Sequence, residues 1–192
     1  GAEDFKIVTA PVDDPAPDNW TDLVPHVAGT LILSLTLFAR HMVRLERFEG
    51  LPRIVVRELS SGEEHSIAFD EEAYALGMSD GLEFETTNLR FSYSSMTTPA
   101  QVYDYNLDDR SRTLRKTQEV PSGHNPDDYR TRRIFARAAD GERIPISILY
   151  HKNTRLDGTA PCLLYGYGSY GISMPAGFSV TRLSLVDRGF VY

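Results

Sequence analysis

Short runs of apolar and β-branched residues, broken by polar positions, fill the first two thirds of the chain. Clusters of Gly, Pro, Asp and Ser separate these runs, a pattern typical of antiparallel strands joined by tight turns. The runs "IVVREL" at 54–59 and "VYDYNL" at 102–107 are each followed by a turn and a second run, so the pattern repeats with an offset of 48 residues. Residue 6, which lies 48 residues before residue 54, begins "KIVTAP", another strand-like run.

A repeat of about 48 residues holding about four short strands is typical of one blade of a β-propeller. Residues 1–120 therefore predict about two and a half blades, and a mainly β fold. Because the repeat is weak in side-chain identity, a β-sandwich of similar strand spacing is the alternative. A propeller closes only when several such units surround an axis, so these blades would be a partial propeller, its C-terminal blades.

Residues 121–133 interrupt the strand pattern with Pro121, Gly123, Pro126 and many charges. This composition predicts an inter-domain hinge. His124 lies within it, and we expect a solvent-exposed linker histidine rather than a catalytic one.

Residues 134–192 follow a different pattern, which begins with a hairpin whose turn is Asp140-Gly141. The apolar run "APCLLYGYG" then predicts a strand buried on both faces. A glycine-rich loop follows, and then a helix within "FSVTRLSLVDRG" that ends near Gly189, before a strand begins at "FVY". This order predicts the first strands and helix of an α/β domain.

The glycine-rich loop raises a choice between two functions. Gly166, Gly168 and Gly171 spell the G-x-G-x-x-G fingerprint of a dinucleotide-binding turn. In such a turn the helix begins within the motif, whereas here Pro175 and Gly177 stand between the last motif glycine and the helix. We therefore expect no nucleotide and no other cofactor.

The second choice is an acyl-transfer enzyme. In α/β-hydrolases, the loop after the third strand contributes a hydrogen-bond donor to the oxyanion that forms when a serine attacks a carbonyl. Glycines allow such a loop to turn sharply, and a tyrosine hydroxyl is able to be the donor.

Three segments carry a resemblance to a known family: "LLYGYGSYGISMPAGFSVTRLSLVDRGFVY", "SYSSMTTPAQVYDYNL" and "EVPSGHNPDDYRTRRIFARAADGERIPISILYHK". They resemble the oligopeptidase B branch of the prolyl oligopeptidase family of serine peptidases. The resemblance implies a β-propeller joined to an α/β-hydrolase (peptidase) domain, with residues 134–192 as its N-terminal part. It also implies cleavage of short peptides after Arg or Lys, with the propeller limiting substrate size. By position, it implies that Tyr167 is the side-chain oxyanion donor and that Tyr170 lines the pocket for the residue before the scissile bond.

The catalytic triad that the resemblance implies is not found in the chain. An α/β-hydrolase carries its serine in a G-x-S-x-G elbow, followed by the acid and the histidine. The segment 171–175 comes nearest, but Pro175 stands where the second glycine belongs, and the last histidine, His151, precedes the loop. We expect an internal piece of a larger peptidase that is inactive by itself. A non-enzymatic propeller module that binds a protein is the alternative, although it does not explain the pattern after residue 160.

Net charge and composition limit the classes of binding partner that we expect. The net charge of -7 disfavours nucleic acid, which requires a basic surface. The longest apolar stretch, 30–39, is shorter than the roughly 20 residues of a membrane helix, so we expect no membrane partner. The expected partners are short basic peptides, the rest of the same polypeptide and, through unpaired strand edges, other copies of the chain.

Individual residue types add three expectations. The arginines at 40–57 and 130–137 alternate with acids, which predicts solvated faces. Cys162 is the only cysteine and has no internal partner, which fits a reducing, cytoplasmic location. The five histidines are too scattered to predict a metal site.

Overall fold

The computed structural model of the chain describes residues 1–79, 81 and 83–192, and most of its regular structure is antiparallel strand. The strands, in chain order, are β1 Ile7–Thr9, β2 Thr21–Val24, β3 Thr30–Leu37, β4 His41–Phe48, β5 Leu51–Glu58, β6 Glu64–Ser66, β7 Tyr74–Met78, β8 Asn88–Ser95, β9 Gln101–Asn106, β10 Arg112–Thr117, β11 Tyr129–Arg137 and β12 Arg143–His151. The α-helix α1 is Val180–Val186. Among the described residues, no helix combines the length and the apolar character needed to cross a membrane.

Two four-stranded antiparallel sheets account for the sequence repeat. β3 to β6 form sheet I and β7 to β10 form sheet II, and in each the strands neighbour one another in chain order. The positions that the repeat equates, 54 and 102, lie in β5 and β9, which are the third strands of their sheets. The predicted repeat is therefore confirmed. β1 and β2 pair as a separate two-stranded sheet, as an incomplete unit would.

Sheet I contains a buried network of charged side chains. Arg44 and Glu46 of β4 are only 3% and 2% exposed, and Arg44 Nε donates to Glu46 Oε1 at 2.8 Å. Arg44 also donates to both carboxylate oxygens of Glu64 at 2.8 and 3.0 Å. Arg53 Nε donates to Glu46 at 2.7 Å, and Arg57 donates to Glu64 at 3.0 Å.

The expectation that these arginines are solvated is therefore wrong for Arg44, which is buried, whereas the Arg53 side chain is 39% exposed. The strand register explains why: Glu46 stands directly opposite Arg53, and Arg57 directly opposite Glu64, so opposite charges meet on one face. Burial opposes the charge on Arg44, but its hydrogen bonds to Glu64 and Glu46 raise the pKa of the guanidinium. The hydrogen bond from Arg44 also lowers the pKa of Glu64.

Sheet II is built around aromatic rings. Phe69 stacks on Tyr93, with ring centroids 5.0 Å apart, and meets Phe91 edge-on at 5.8 Å. Phe91 also stacks on Tyr103 of the neighbouring strand at 5.5 Å. Offset and edge-on contacts of this kind add to the free energy that comes from burying the rings.

At one end of sheet II, a single carboxylate accepts hydrogen bonds from several hydroxyl groups. Glu71 accepts hydrogen bonds from Tyr93, from Ser95 at 2.5 Å, from Thr97 at 2.8 Å and from Thr98 at 3.0 Å. We name these five residues the Glu71 cluster. Burial and the hydrogen bond to Glu71 raise the pKa of Tyr93.

The chain divides into two compact units, Gly1–Ile67 and Ala68–Tyr192. The second unit contains sheet II together with β11, β12 and α1. β11 begins at Tyr129, inside the segment 121–133 that the sequence marks as a hinge. The proposed domain limits at 120, 133 and 134 stay a prediction.

The hairpin and the helix form where the sequence indicates them. β11 and β12 pair without interruption from Tyr129 opposite His151 to Arg137 opposite Arg143. Gly141 in the turn has a φ of 93°, which glycine adopts without steric cost. At the other end of this region, the Ser179 side chain accepts from the Arg182 N–H and caps α1, and Gly189 follows the helix with a φ of 90°.

Candidate active site

The glycine-rich loop connects two parallel extended segments, 161–163 and 190–192. Cys162 forms a parallel bridge with Val191. The Val191 N–H donates to the Pro161 carbonyl at 2.8 Å, and the Leu163 N–H donates to the Val191 carbonyl at 2.9 Å. Parallel neighbours require a crossover connection, which here consists of the loop followed by α1.

The segment 190–192 lies between 161–163 and β12. Leu149 of β12 and Tyr192 exchange both backbone hydrogen bonds, at 2.8 and 2.9 Å. The order across this sheet is therefore β11, β12, 190–192 and 161–163. Leu183 and Val186 of α1 and Leu149 of β12 are all buried. The strand–loop–helix–strand unit predicted from the sequence is present in this form.

The segment expected to be buried on both faces is exposed. Leu164 is 82% and Tyr165 is 58% exposed, and Cys162 is a free, exposed thiol. A parallel sheet is buried when strands flank it and helices cover both faces. Among the described residues, 161–163 pairs only with 190–192, so no further strand of the described part of the chain flanks the apolar run.

A tight turn forms the tip of the loop. The Ile172 N–H donates to the Ser169 carbonyl at 3.1 Å, and the two central residues, Tyr170 and Gly171, have φ angles of 57° and 64°. Positive φ at both central positions is the signature of a type I′ turn. Glycine enters this region freely, whereas a tyrosine there is uncommon and strained, and such strain is found preferentially at functional sites.

The two tyrosines singled out by the sequence lie on this loop, near its tip. Tyr167 is 48% exposed, and no described residue hydrogen-bonds to its phenol. Tyr170 is 91% exposed. Both side chains are thus accessible to a second molecule, which is necessary for the roles that the resemblance implies but is not a test of them.

The loop geometry differs from that of a dinucleotide-binding turn. α1 begins only at Val180, after the turn and after a further extended stretch. Its N-terminus therefore does not meet the glycine motif, as a pyrophosphate site requires. Asp187, at the distance where a ribose-binding acid would be sought, instead caps the end of α1 and accepts from the Tyr129 hydroxyl at 2.7 Å. Burial, with the hydrogen bond to Asp187, raises the pKa of Tyr129 to about 12.

His124 is not the exposed linker residue that the sequence suggests. Its Nε2 lies 2.6 Å from the Thr97 carbonyl oxygen, and its ring stacks on Tyr129 and meets Phe178 edge-on. The contact joins the turn after β8 to the end of the glycine-rich loop. No local sequence signal marks it, because Thr97, His124 and Phe178 are far apart along the chain.

Comparison with known proteins identifies the family. The model described as "Prolyl oligopeptidase, N-terminal beta-propeller domain" matches residues 1–118. The chain belongs to the prolyl oligopeptidase family. The match confirms the predicted partial propeller and removes the β-sandwich alternative. Members of this family are serine peptidases.

Relatives of this family match the chain along its length. Dipeptidyl aminopeptidase BI of Pseudoxanthomonas mexicana is 42% identical over the whole chain, which covers 26% of that protein. The structure of oligopeptidase B from Leishmania major matches with a TM-score of 0.90 at 34% identity, over the whole chain and 28% of that structure. The structure of oligopeptidase B from Trypanosoma brucei, in a closed form with covalently bound antipain, matches with a TM-score of 0.83 at 34% identity, over 92% of the chain and 26% of that structure. The chain spans about a quarter of the length of these relatives.

Proposed function

We propose that this chain is part of a serine oligopeptidase that hydrolyses short peptides after Arg or Lys. Within it, residues 134–192 would open an α/β-hydrolase domain, and Tyr167 would donate a hydrogen bond to the oxyanion. The propeller would limit the size of the substrates that reach the site. Family membership supports the reaction class, and the residue preference comes from the resemblance to oligopeptidase B.

The observation that carries this proposal is the crossover from 161–163 through the loop and α1 to 190–192. The oxyanion-stabilising loop of an α/β-hydrolase lies after the third strand and before the following helix. Counting from β11, 161–163 is the third extended segment, and the loop that carries Tyr167 follows it directly. A non-enzymatic propeller module gives no reason for such a crossover.

In the proposed step, the serine oxygen attacks the substrate carbonyl carbon, and the carbonyl π electrons move onto the oxygen. The Tyr167 hydroxyl donates a hydrogen bond to that developing oxyanion and keeps its own proton. The serine loses its proton to the histidine of the triad, and both residues belong to polypeptide outside this chain. Collapse of the intermediate re-forms the C=O bond and breaks the C–N bond, and the histidine gives its proton to the leaving amine. Water then hydrolyses the acyl-enzyme and releases the serine.

Tyr170 has a separate proposed role, in substrate contact. The strained turn presents its ring to solvent, so that one face of the ring is free to line the pocket for the residue before the scissile bond. An Arg side chain would pack there over the aromatic face. Tyr170→Asn, which suits the positive φ, should raise the KM for an arginyl substrate and leave the fold intact.

The decisive experiment replaces Tyr167 by Phe in the full-length peptidase. We expect the turnover of an arginyl peptide amide to fall about a hundredfold to a thousandfold, because one oxyanion donor is lost. The melting temperature should hardly change, because the ring is half exposed. Tyr165→Phe, the neighbouring exposed tyrosine, is the matched control and should keep its turnover. Unchanged turnover in Tyr167→Phe would refute the assignment.

A fluorophosphonate probe separates the peptidase from the non-enzymatic module. The probe labels an activated serine, so the full-length polypeptide should react and the 192-residue chain alone should not. Failure of the full-length polypeptide to react would favour the module.

Release of dipeptides is a second candidate activity, favoured by the 42% identity to dipeptidyl aminopeptidase BI. Two matched peptide amides, one with a free N-terminus and one acetylated, distinguish it. Equal cleavage of both after Arg supports the oligopeptidase, whereas cleavage of the free peptide alone, two residues from its end, supports dipeptide release.

We also propose that the chain by itself associates through its open strand edges. β3 at one edge of sheet I exposes Leu33, Leu35 and Leu37, and β10 at one edge of sheet II is exposed along its length. Exposed edge strands promote pairing with other chains. Light scattering of the 192-residue chain should give a mass above that of a monomer.

The exposed, unpaired Cys162 supports a reducing, cytoplasmic location.

A further inference from the structure

The end of the glycine-rich loop packs closely against sheet II. Residues 176–178, here named the docked segment, lie between the turn at the loop tip and α1, and Ala176 is only 5% exposed. A Cβ atom added to Gly177 would lie 3.2 Å from Ser94 Oγ of β8 and 3.7 Å from Ala75 Cβ of β7. Glycine therefore allows the backbone to approach these two strands.

His124 makes the second contact between the docked segment and sheet II. Its ring meets Phe178 edge-on, with centroids 4.9 Å apart, and stacks on Tyr129 at 5.4 Å. Its Nε2 lies 2.6 Å from the Thr97 carbonyl oxygen, which only accepts, so Nε2 carries a proton. The buried Nδ1 has no hydrogen-bond partner among the described residues, so the ring acts through Nε2 and its faces.

The acceptor of this hydrogen bond is itself firmly held. The Thr97 hydroxyl donates to Glu71 at 2.8 Å, and the Thr97 N–H donates to Ser95 Oγ at 3.0 Å. Ser95 and Thr97 are both buried. The Glu71 cluster thus fixes the turn that receives His124.

Arg182 of α1 makes a further contact with the docked segment. One of its terminal nitrogens donates to the Gly177 carbonyl at 2.8 Å, and its guanidinium lies 4.5 Å from the centre of the Tyr192 ring. The segment therefore contacts both α1, through Arg182, and sheet II, through Gly177.

We propose that sheet II positions the oxyanion loop through the docked segment, with His124 as a positioning residue. This inference rests on the proposed function of Tyr167. Only a few residues separate the docked segment from the turn at the loop tip, so a displaced segment moves the loop. Displacement of a donor by about 1 Å lowers turnover by up to about a hundredfold.

The test uses three substitutions in the full-length peptidase. His124→Phe keeps the ring contacts and removes the N–H donor, whereas His124→Gln keeps an amide donor near the position of Nε2 and removes the ring contacts. Gly177→Ala adds a methyl group at the contact with Ser94. Ser122→Ala, at an exposed position of the same segment, is the control.

Two measurements are made on each variant: kcat per active site, titrated with a fluorophosphonate, and amide hydrogen exchange in residues 171–178. His124→Phe and Gly177→Ala should lower kcat about tenfold or more, leave KM nearly unchanged and speed up exchange. His124→Gln should also lower kcat and speed up exchange, because it loses the ring contact with Phe178, and Ser122→Ala should match the parent.

Three outcomes would overturn the inference: unchanged exchange in His124→Phe, unchanged exchange in His124→Gln, or faster exchange with unchanged kcat. If Tyr167→Phe alone leaves turnover unchanged, the proposed function fails and the positioning role fails with it. The exchange data do not depend on activity, so they still decide whether His124 docks the loop.

Discussion

Sheets I and II have the same number of strands in the same order, but they bury different kinds of polar group: mainly charged side chains in sheet I and mainly hydroxyls in sheet II. Sheet I buries Arg44 and Glu46 in a network of full charges, in which each carboxylate meets two guanidinium groups. Sheet II buries hydroxyls around the one carboxylate of Glu71, beside a set of stacked aromatic rings.

This difference teaches that strand order does not dictate how a blade satisfies its polar groups. A buried charge requires an opposite charge with good geometry, and the register of β4, β5 and β6 supplies it in sheet I. In sheet II the polar cluster also fixes the turn at Thr97, to which His124 binds. The hydroxyl cluster is therefore found where sheet II meets the candidate active site.

Replacement of Arg44 by Met should have the largest effect. It leaves Glu46 and Glu64 buried or half-buried with fewer counter-charges, so we expect sheet I to lose about 3 to 5 kcal/mol. Amide hydrogen exchange in β4 and β5 measures this loss. The matched control is Arg90→Met in sheet II, because Arg90 pairs with Asp104 but is 52% exposed. Equal effects of the two substitutions would show that burial of the network does not matter.

Replacement of Glu71 by Ala should come next. It leaves the buried Ser95 and Thr97 hydroxyls without their common acceptor, and we expect a loss of about 1 to 3 kcal/mol in β8 and β9. Exchange in these strands reports it. Glu72→Ala is the control: Glu72 accepts from the Arg133 N–H at 2.7 Å, so its loss should affect β11 instead. A Glu71→Ala variant with unchanged protection in β8 would contradict the role of the cluster.

Glu64 in sheet I and Tyr93 in sheet II should also contribute to stability with opposite pH dependence. The pKa of Glu64 is lowered by Arg44, so its contribution to sheet I is complete above the ordinary value of about 4.3 and is lost as the pH falls. The pKa of Tyr93 is raised by burial and by Glu71, so its contribution to sheet II is complete below about 10 and is lost as the pH rises.

Exchange-derived stabilities of the two sheets, measured from pH 3 to 11, check this opposition. Glu64→Gln should reduce the loss of stability of sheet I at acid pH, and Tyr93→Phe should reduce the loss of stability of sheet II at alkaline pH. A Tyr93→Phe variant that keeps the full alkaline loss would refute the assignment to Tyr93.

The smallest expected effect concerns Gly77 of β7. A Cβ atom there would lie 2.8 Å from Ser92 Oγ, which has to rotate away, so Gly77→Ala should cost sheet II about 1 kcal/mol. The strands of sheet I contain no glycine, so the constraint is particular to sheet II. The double variant with Ser92→Ala should recover the loss. If it does not, another contact of Gly77 is responsible.

Local sequence signals account for most of the elements that formed as expected. Alternation of apolar residues marks the strands, Asp140-Gly141 marks the hairpin turn, and Ser179 and Gly189 mark the ends of α1. The candidate loop was also found from the sequence, because glycines and tyrosines are concentrated there. The roles of Tyr167 and Tyr170 stay predictions.

The sequence by itself determined the repeat, the element types and the position of the loop, because these depend on residues close together in the chain. Only the tertiary structure decided that Arg44 and Glu46 are buried, that residues near Cys162 are exposed and that His124 binds the Thr97 carbonyl. Each of these outcomes depends on a partner from another strand or loop, or on the lack of one. Strand register and packing determine these partners, and the local pattern of residues does not predict which residues will meet.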